Sequence, residues 1–242
     1  MVSKNQLKLI KSLAQKKNRR TSGLFVAEGK KTISELLSSE TELHLLFSEE
    51  HIFNAPEEKF VEVGSADLKK MSFLKTPQTA LGIFKIPEVF VPDYDKLILV
   101  LDGVRDPGNL GTIIRLCDWF GIDKIVCSKD TVDCYNLKVV QATMGSIARV
   151  SMAYMDLTEY FLGRPESLPI LGTFMEAENI YRTSLPGKGI LVMGNEANGI
   201  STEVEKYVTQ RIGIPQFGKS SSTESLNVAT ATAIILSEFK RG

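Results

Sequence analysis

From residue 97 to residue 240 the chain alternates short, continuous apolar runs with stretches of helical periodicity, and this pattern constrains the fold more than any other feature. The runs at 97–101, 124–127, 149–154, 169–174, 189–193 and 210–214 read as strands. Helical spacing fits 110–120, 135–147, 157–162, 201–208 and 225–240. Strands that are apolar throughout must be buried on both faces, and strands that alternate with helices pair in parallel. The expected fold is therefore α/β, a mainly parallel sheet with helices on both faces.

The preceding residues read as a small, separate α/β unit. A basic helix carries Leu7, Ile10 and Leu13 roughly on one face, and Ile33, Leu36 and Leu37 give a second helix its apolar side. Strand candidates lie at 23–29, 43–47, 60–63 and 80–86. Pro87 and Pro92 remove backbone donors and disfavour helix in the residues before them. They mark a boundary between a domain of residues 1–90 and one of residues 91–242.

Overall charge is uninformative, because Lys plus Arg and Asp plus Glu both total 29. Its distribution is not. Residues 1–20 hold Lys4, Lys8, Lys11, Lys16, Lys17, Arg19 and Arg20 and no acid. Such a segment either attracts phosphate or is a solvated helix face. The three cysteines, Cys117, Cys127 and Cys134, match no zinc or disulfide spacing and are expected to be reduced. Only His44 and His51 are available as histidines, both far from the loops discussed next, so histidine acid–base chemistry and a histidine-rich metal site are not expected. Met-Val-Ser-Lys-Asn lacks the apolar run of a secretory signal, and no stretch approaches a membrane span of about 20 residues. A cytoplasmic protein without membrane or metal partners is the expectation.

Ligands of open parallel sheets sit beyond the carboxyl ends of the strands. Three loops at such ends have unusual compositions. The first, 101–115, turns on Gly103, Pro107 and Gly108 and enters a helix near Asn109. Asn109 is either a helix cap or a reactive-site amide, and Arg115, off the apolar stripe, is either a surface ion-pair partner or functional. The second, 191–201, contains Gly194, which permits close backbone approach to a ligand, and Glu196, which either caps loop amides or touches the ligand. In the third, 214–229, Ser225 is a candidate N-cap of the last helix and Asn227 falls in its first turn. Neither G-x-G-x-x-G nor G-x-x-x-x-G-K-[ST] occurs here, which disfavours a dinucleotide oxidoreductase and nucleoside triphosphate binding.

In order and spacing, D-x-x-x-D-P-x-N-x-G-x-x-x-R, then G-x-E-x-x-G, then I-P with S-L-N-V before a terminal helix resemble the SpoU/TrmH family of the SPOUT methyltransferases, over about residues 96–240. Residues 16–20 and 25–30 also look like the ribosomal-protein-like RNA-binding domain of many members. The resemblance implies a C-terminal trefoil knot, a homodimer with its active site at the subunit interface, and transfer of a methyl group from S-adenosylmethionine to a ribose 2′-hydroxyl of RNA, with ribosomal RNA expected. A transfer-RNA enzyme, a base methyltransferase and a non-catalytic RNA-binding protein on the same fold are the alternatives. It further implies catalytic positions at Asn109, Arg115, Glu196, Ser225 and Asn227. Cofactor contacts fall at Thr173, Gly194, Ile214 and Leu226, and RNA contacts at Lys16, Lys17, Arg19 and Arg20. The family places Arg115 as base or activator; a guanidinium pKa above about 12 favours an electrostatic role. The loop after Ile214 looks a few residues longer than the usual family form, through residues 219–223.

Overall fold

The computed structural model describes residues 2–90, 94–218 and 225–241. In chain order the first elements are α1 (Lys4–Ser12), α2 (Lys16–Ser22), β1 (Leu24–Glu28), α3 (Lys30–Leu37), β2 (Leu43–Ser48), β3 (Phe60–Glu62), α4 (Ser65–Met71) and β4 (Ala80–Lys85). Then come β5 (Leu97–Leu101), α5 (Pro107–Phe120), β6 (Lys124–Ser128), α6 (Leu137–Thr143), β7 (Ser151–Met155) and α7 (Leu157–Leu162). The last are β8 (Ile170–Asn179), β9 (Gly189–Met193), α8 (Thr202–Glu205), β10 (Gln210–Gly213) and α9 (Val228–Phe239). The contacts form two compact units, Met1–Glu88 with Asp133–Arg149, and Val89–Val132 with Val150–Gly242.

The first unit holds a four-stranded sheet, β1-β4-β2-β3, in which only β2 and β3 are parallel. Ile10, Leu13, Val26, Phe47, Met71 and Ile83 form its apolar centre. The basic segment, read as one helix, is two, because Gln15 is extended (φ −94°, ψ 131°) and starts α2 anew. Helix α4, for which the sequence reading has no counterpart, buries Leu68 and Met71 at i, i+3 spacing. Residues 133–149, assigned by sequence to the second domain, pack within this unit. Tyr135 packs against Phe25 with ring centroids 4.7 Å apart and planes tilted by 40°, and Leu137 joins the apolar centre. The helix expected over 135–147 stops at Thr143, because Met144 and Gly145 both take positive φ (53° and 102°).

Arg19 is 2% exposed. Its guanidinium holds Asp133 through Nε at 3.0 Å and Nη2, and donates to the Leu13 and Ala14 carbonyls at 2.8 and 2.9 Å. The expectation that Arg19 contacts RNA is thereby corrected: it is buried with four of its five N–H donors bonded inside the unit, whereas Lys16, Lys17 and Arg20 are exposed.

The second unit is a six-stranded sheet, β10-β8-β9-β5-β6-β7, with every pairing parallel. Its central strands β5 and β9 are buried at every residue, as continuous apolar runs require. The strand expected over 169–174 runs on to Asn179, but its ladder to β10 is broken. Gly172 pairs with Arg211 and Glu178 with Ile212, so residues 173–177 leave the ladder. The backbone of this bulge needs Gly213, where a Cβ would lie 2.6 Å from the Phe174 carbonyl oxygen. Cys117, Cys127 and Cys134 are all buried, and burial raises the Cys117 thiol pKa. Among the described residues no helix is long and apolar enough to cross a membrane.

Candidate active site at the ends of β5 and β9

Strands β5 and β9 are neighbours in register, Leu101 opposite Met193, so their loops leave the sheet side by side. Here the strand order also switches direction, since β6 lies on one side of β5 and β9 on the other. A crevice at such a point is where open α/β sheets bind ligands. A cavity of about 820 Å³ lies beside it, at the carboxyl ends of β8, β9 and β10, walled by Thr173, Met193, Gly194, Ile214, Leu226 and Ile235 among others.

Helix α5 begins with a side-chain cap, but Asn109 is not the residue that makes it. Asp106 is the N-cap and accepts from the Asn109 backbone amide at 2.7 Å, with Pro107 in the first position. The Asn109 carboxamide is thereby left free to face away from its own backbone. The expected Ser225 cap at α9 is likewise corrected to Asn227, which accepts from the Ala229 and Thr230 amides at 2.9 and 3.2 Å. Ser225 is exposed and lines the cavity.

These two caps orient the side chains at the site. Because the Asn227 oxygen is occupied by helix amides, its nitrogen must point outward, and it donates to the Asn109 Oδ1 at 2.9 Å. That leaves the Asn109 nitrogen as donor to Glu196 Oε1 at 2.8 Å. An ionised carboxylate only accepts, so the polarity of the whole series runs one way, from the amides of α9 to Glu196. Residues 109, 196 and 227 are thus brought together.

Asn195, which the sequence reading passed over, fastens this arrangement. Its Oδ1 accepts from the Ala197 and Asn198 amides at 2.9 and 3.2 Å, and its nitrogen donates to the Gly103 carbonyl at 2.6 Å. It takes the loop-fixing role considered for Glu196, and an Asn followed by a tight turn was the available signal. Buried Asp102 adds a second tie across the loops by accepting from the Ser201 amide at 2.7 Å. Gly194 serves this closure too: a Cβ there would lie 2.2 Å from the Gly199 carbonyl carbon, so its smallness is demanded first by its own loop. Beside them, the Ser128 hydroxyl, followed by Arg105, holds the Asp130 carboxyl below the usual carboxylate range. Asn195→Ala removes four hydrogen bonds, one of them a long contact to Glu196 at 3.5 Å, and should lower unfolding free energy by about 2–3 kcal/mol, read from chemical denaturation.

Arg115 stands apart. It is exposed on α5, makes no hydrogen bond or ion pair among the described residues, and is absent from the cavity wall. Six residues beyond Asn109, it projects about 120° away around the helix. Thr173 does line the cavity, and its hydroxyl donates to the Val192 carbonyl at 3.0 Å. No cluster of His, Cys, Asp or Glu among the described residues could hold a metal ion.

A parallel α/β domain with a loop-built pocket at the carboxyl ends of its strands, preceded in the chain by a unit that opens on a basic segment, defines a ligand-binding enzyme class. Residues 96–237 match the SpoU rRNA methylase family, and residues 4–82 match an MRM3-like substrate binding domain. The chain belongs to the SpoU rRNA methylase family. It is 28% identical to the 23S rRNA (guanosine(2553)-2'-O)-methyltransferase RlmP of Bacillus subtilis, over 97% of this chain and 96% of that protein. A solved structure of a TrmH-family protein from Porphyromonas gingivalis is 37% identical, with TM-score 0.93, over 100% of this chain and 99% of that one. An AdoMet-bound rRNA methyltransferase from Sinorhizobium meliloti is 30% identical, with TM-score 0.85, over 100% and 97% of the two chains.

Proposed function

We propose that this protein transfers the methyl group of S-adenosylmethionine to a ribose 2′-hydroxyl of ribosomal RNA. The observation that carries the reading is the one-way hydrogen-bond series Asn227–Asn109–Glu196 beside the cavity. The named activities of the relatives agree with it.

The residues present fit the cofactor. The cavity lies within the range of about 300–1,000 Å³ for small-molecule sites, and it combines apolar side chains with bare backbone at Gly194. Main-chain atoms at Gly194, Ile214 and Leu226 would hold it, with Thr173 in the wall. When bound, its sulfonium supplies an activated methyl group. The protein's task is to bring a sugar oxygen into line, and alignment of this kind is worth up to about 7–11 kcal/mol. Glu196, oriented by Asn109 and Asn227, is placed to accept a hydrogen bond from a ribose hydroxyl, and Ser225 offers a further hydroxyl in the same wall. Both histidines lie in the first unit, so the second has none. Stabilisation of the developing alkoxide falls to Arg115, whose fixed charge suits that role better than proton abstraction.

The angular separation of Arg115 from Asn109 supports a homodimer in which Arg115 of one protomer serves the cavity of the other. A C-terminal trefoil knot is supported by the insertion of β9 between β8 and β5 and by the packing of α9 against α5 and residues 180–182. Residues of the first domain, 1–90, supply the RNA contacts, through Lys16, Lys17 and Arg20, and these are phosphate-directed. Reduced, buried cysteines accord with a cytoplasmic enzyme. Mass-spectrometric mapping of ribose methylation in ribosomal RNA from cells with and without the gene tests the reading. One 2′-O-methyl group should vanish on deletion, and an unchanged methylation map would refute it.

A further inference from the structure

Resting on that reading, we infer that Phe217 is a stacking platform for the nucleobase of the nucleotide being methylated, with Met175 as its apolar companion across the cavity mouth. The cavity is graded from floor to rim. Met193, Val228 and Ile235 are 2%, 6% and 1% exposed, whereas Phe217 is 82% and Met175 64% exposed, and all five line it. The rim pair sits on segments outside the β8–β10 ladder. Met175 lies in the five-residue bulge of β8, and Phe217 follows Pro215 after β10. Two large apolar side chains held in water at the mouth of one pocket indicate a ligand surface rather than core.

The reaction names the occupant. A ribose that enters the pocket carries its base with it, and the base, unable to follow the sugar past the cofactor, remains at the mouth. Single-stranded RNA is read by unstacking such bases onto aromatic faces. Every base has a π-face, so an aromatic platform holds the nucleotide in place while other contacts set its identity. S-adenosylmethionine also carries an adenine, the competing aromatic partner for Phe217, and the cofactor-affinity arm of the test separates the two bases.

The test uses the full-length protein with a transcript of bacterial 23S rRNA. Phe217→Ala should raise the KM for RNA about tenfold while S-adenosylmethionine affinity, measured by calorimetry, stays within about twofold. Phe217→Tyr should restore most of the loss, and Met175→Ala should give a smaller rise. An equal fall in cofactor affinity would assign the ring to the cofactor pocket and overturn the inference. A change in oligomeric state would assign it to a contact between copies and overturn it as well. An active wild type whose KM is unmoved by Phe217→Ala sinks the platform alone. A wild type that binds S-adenosylmethionine but methylates no RNA sinks the parent reading, and the platform with it.

Discussion

Mixing Glu196→Ala protein with Arg115→Ala protein should restore about a quarter of the wild-type methylation rate, although neither variant is active alone. Glu196 is tied to the cavity of its own chain through Asn109 and Asn227. Arg115 is on the same helix as Asn109 but turned about 120° from it, exposed and outside the cavity wall. If each site draws Glu196 from one protomer and Arg115 from the other, a mixed dimer has one site lacking both residues and one site intact. Random reassortment makes about half of the dimers mixed, so about one site in four recovers. Each variant alone forfeits a charge-assisted contact or an alkoxide-stabilising charge, an effect of about 10²–10³ in kcat, so the recovered signal stands well clear of background. The measurement is methyl transfer to RNA after co-denaturation or prolonged co-incubation of the two variants. Absence of recovery, with dimer exchange verified by differently tagged subunits, would mean that Arg115 acts within its own chain or not at all.

The second large effect concerns stability. Arg19→Ala should lower the unfolding free energy of the protein by about 3–5 kcal/mol, because it strands the Asp133 carboxylate inside the first unit. The Arg19 and Asp133 side chains are only 3% and 13% exposed, so little solvent is available to screen or replace the pair. Asp133→Ala should cost a similar amount by stranding the guanidinium, although its bonds to the Leu13 and Ala14 carbonyls persist and soften the loss. Lys17→Ala and Arg20→Ala, both at exposed positions, should change stability by less than about 0.5 kcal/mol while weakening RNA binding. Denaturant titration separates the two classes. Equal stability losses at residues 17, 19 and 20 would contradict the assignment of Arg19 to the interior.

The two predictions mark different distances between sequence and structure. Continuous apolar runs at 97–101 and 189–193 sufficed to place β5 and β9 as buried strands, because burial on both faces is written in the residues themselves. The exposure of Arg115 followed in the same way from its place off the apolar stripe of α5. The caps were nearly legible. Asp106-Pro107 is a start signal for a helix, three residues ahead of the expected Asn109, and the cap of α9 falls two residues beyond the expected Ser225.

Sequence alone determined the parallel α/β architecture, the loops that leave its strands, and the polar residues those loops carry, since periodicity and turn chemistry act over a few residues. The tertiary structure alone decided that Asn109 meets Glu196 and Asn227, 87 and 118 positions away, that the end of α9 orients all three, and that Arg19 is buried against Asp133, 114 positions away. A hydrogen bond or ion pair between such distant residues depends on which strands become neighbours, and that is set by the packing of the whole chain rather than by any local preference.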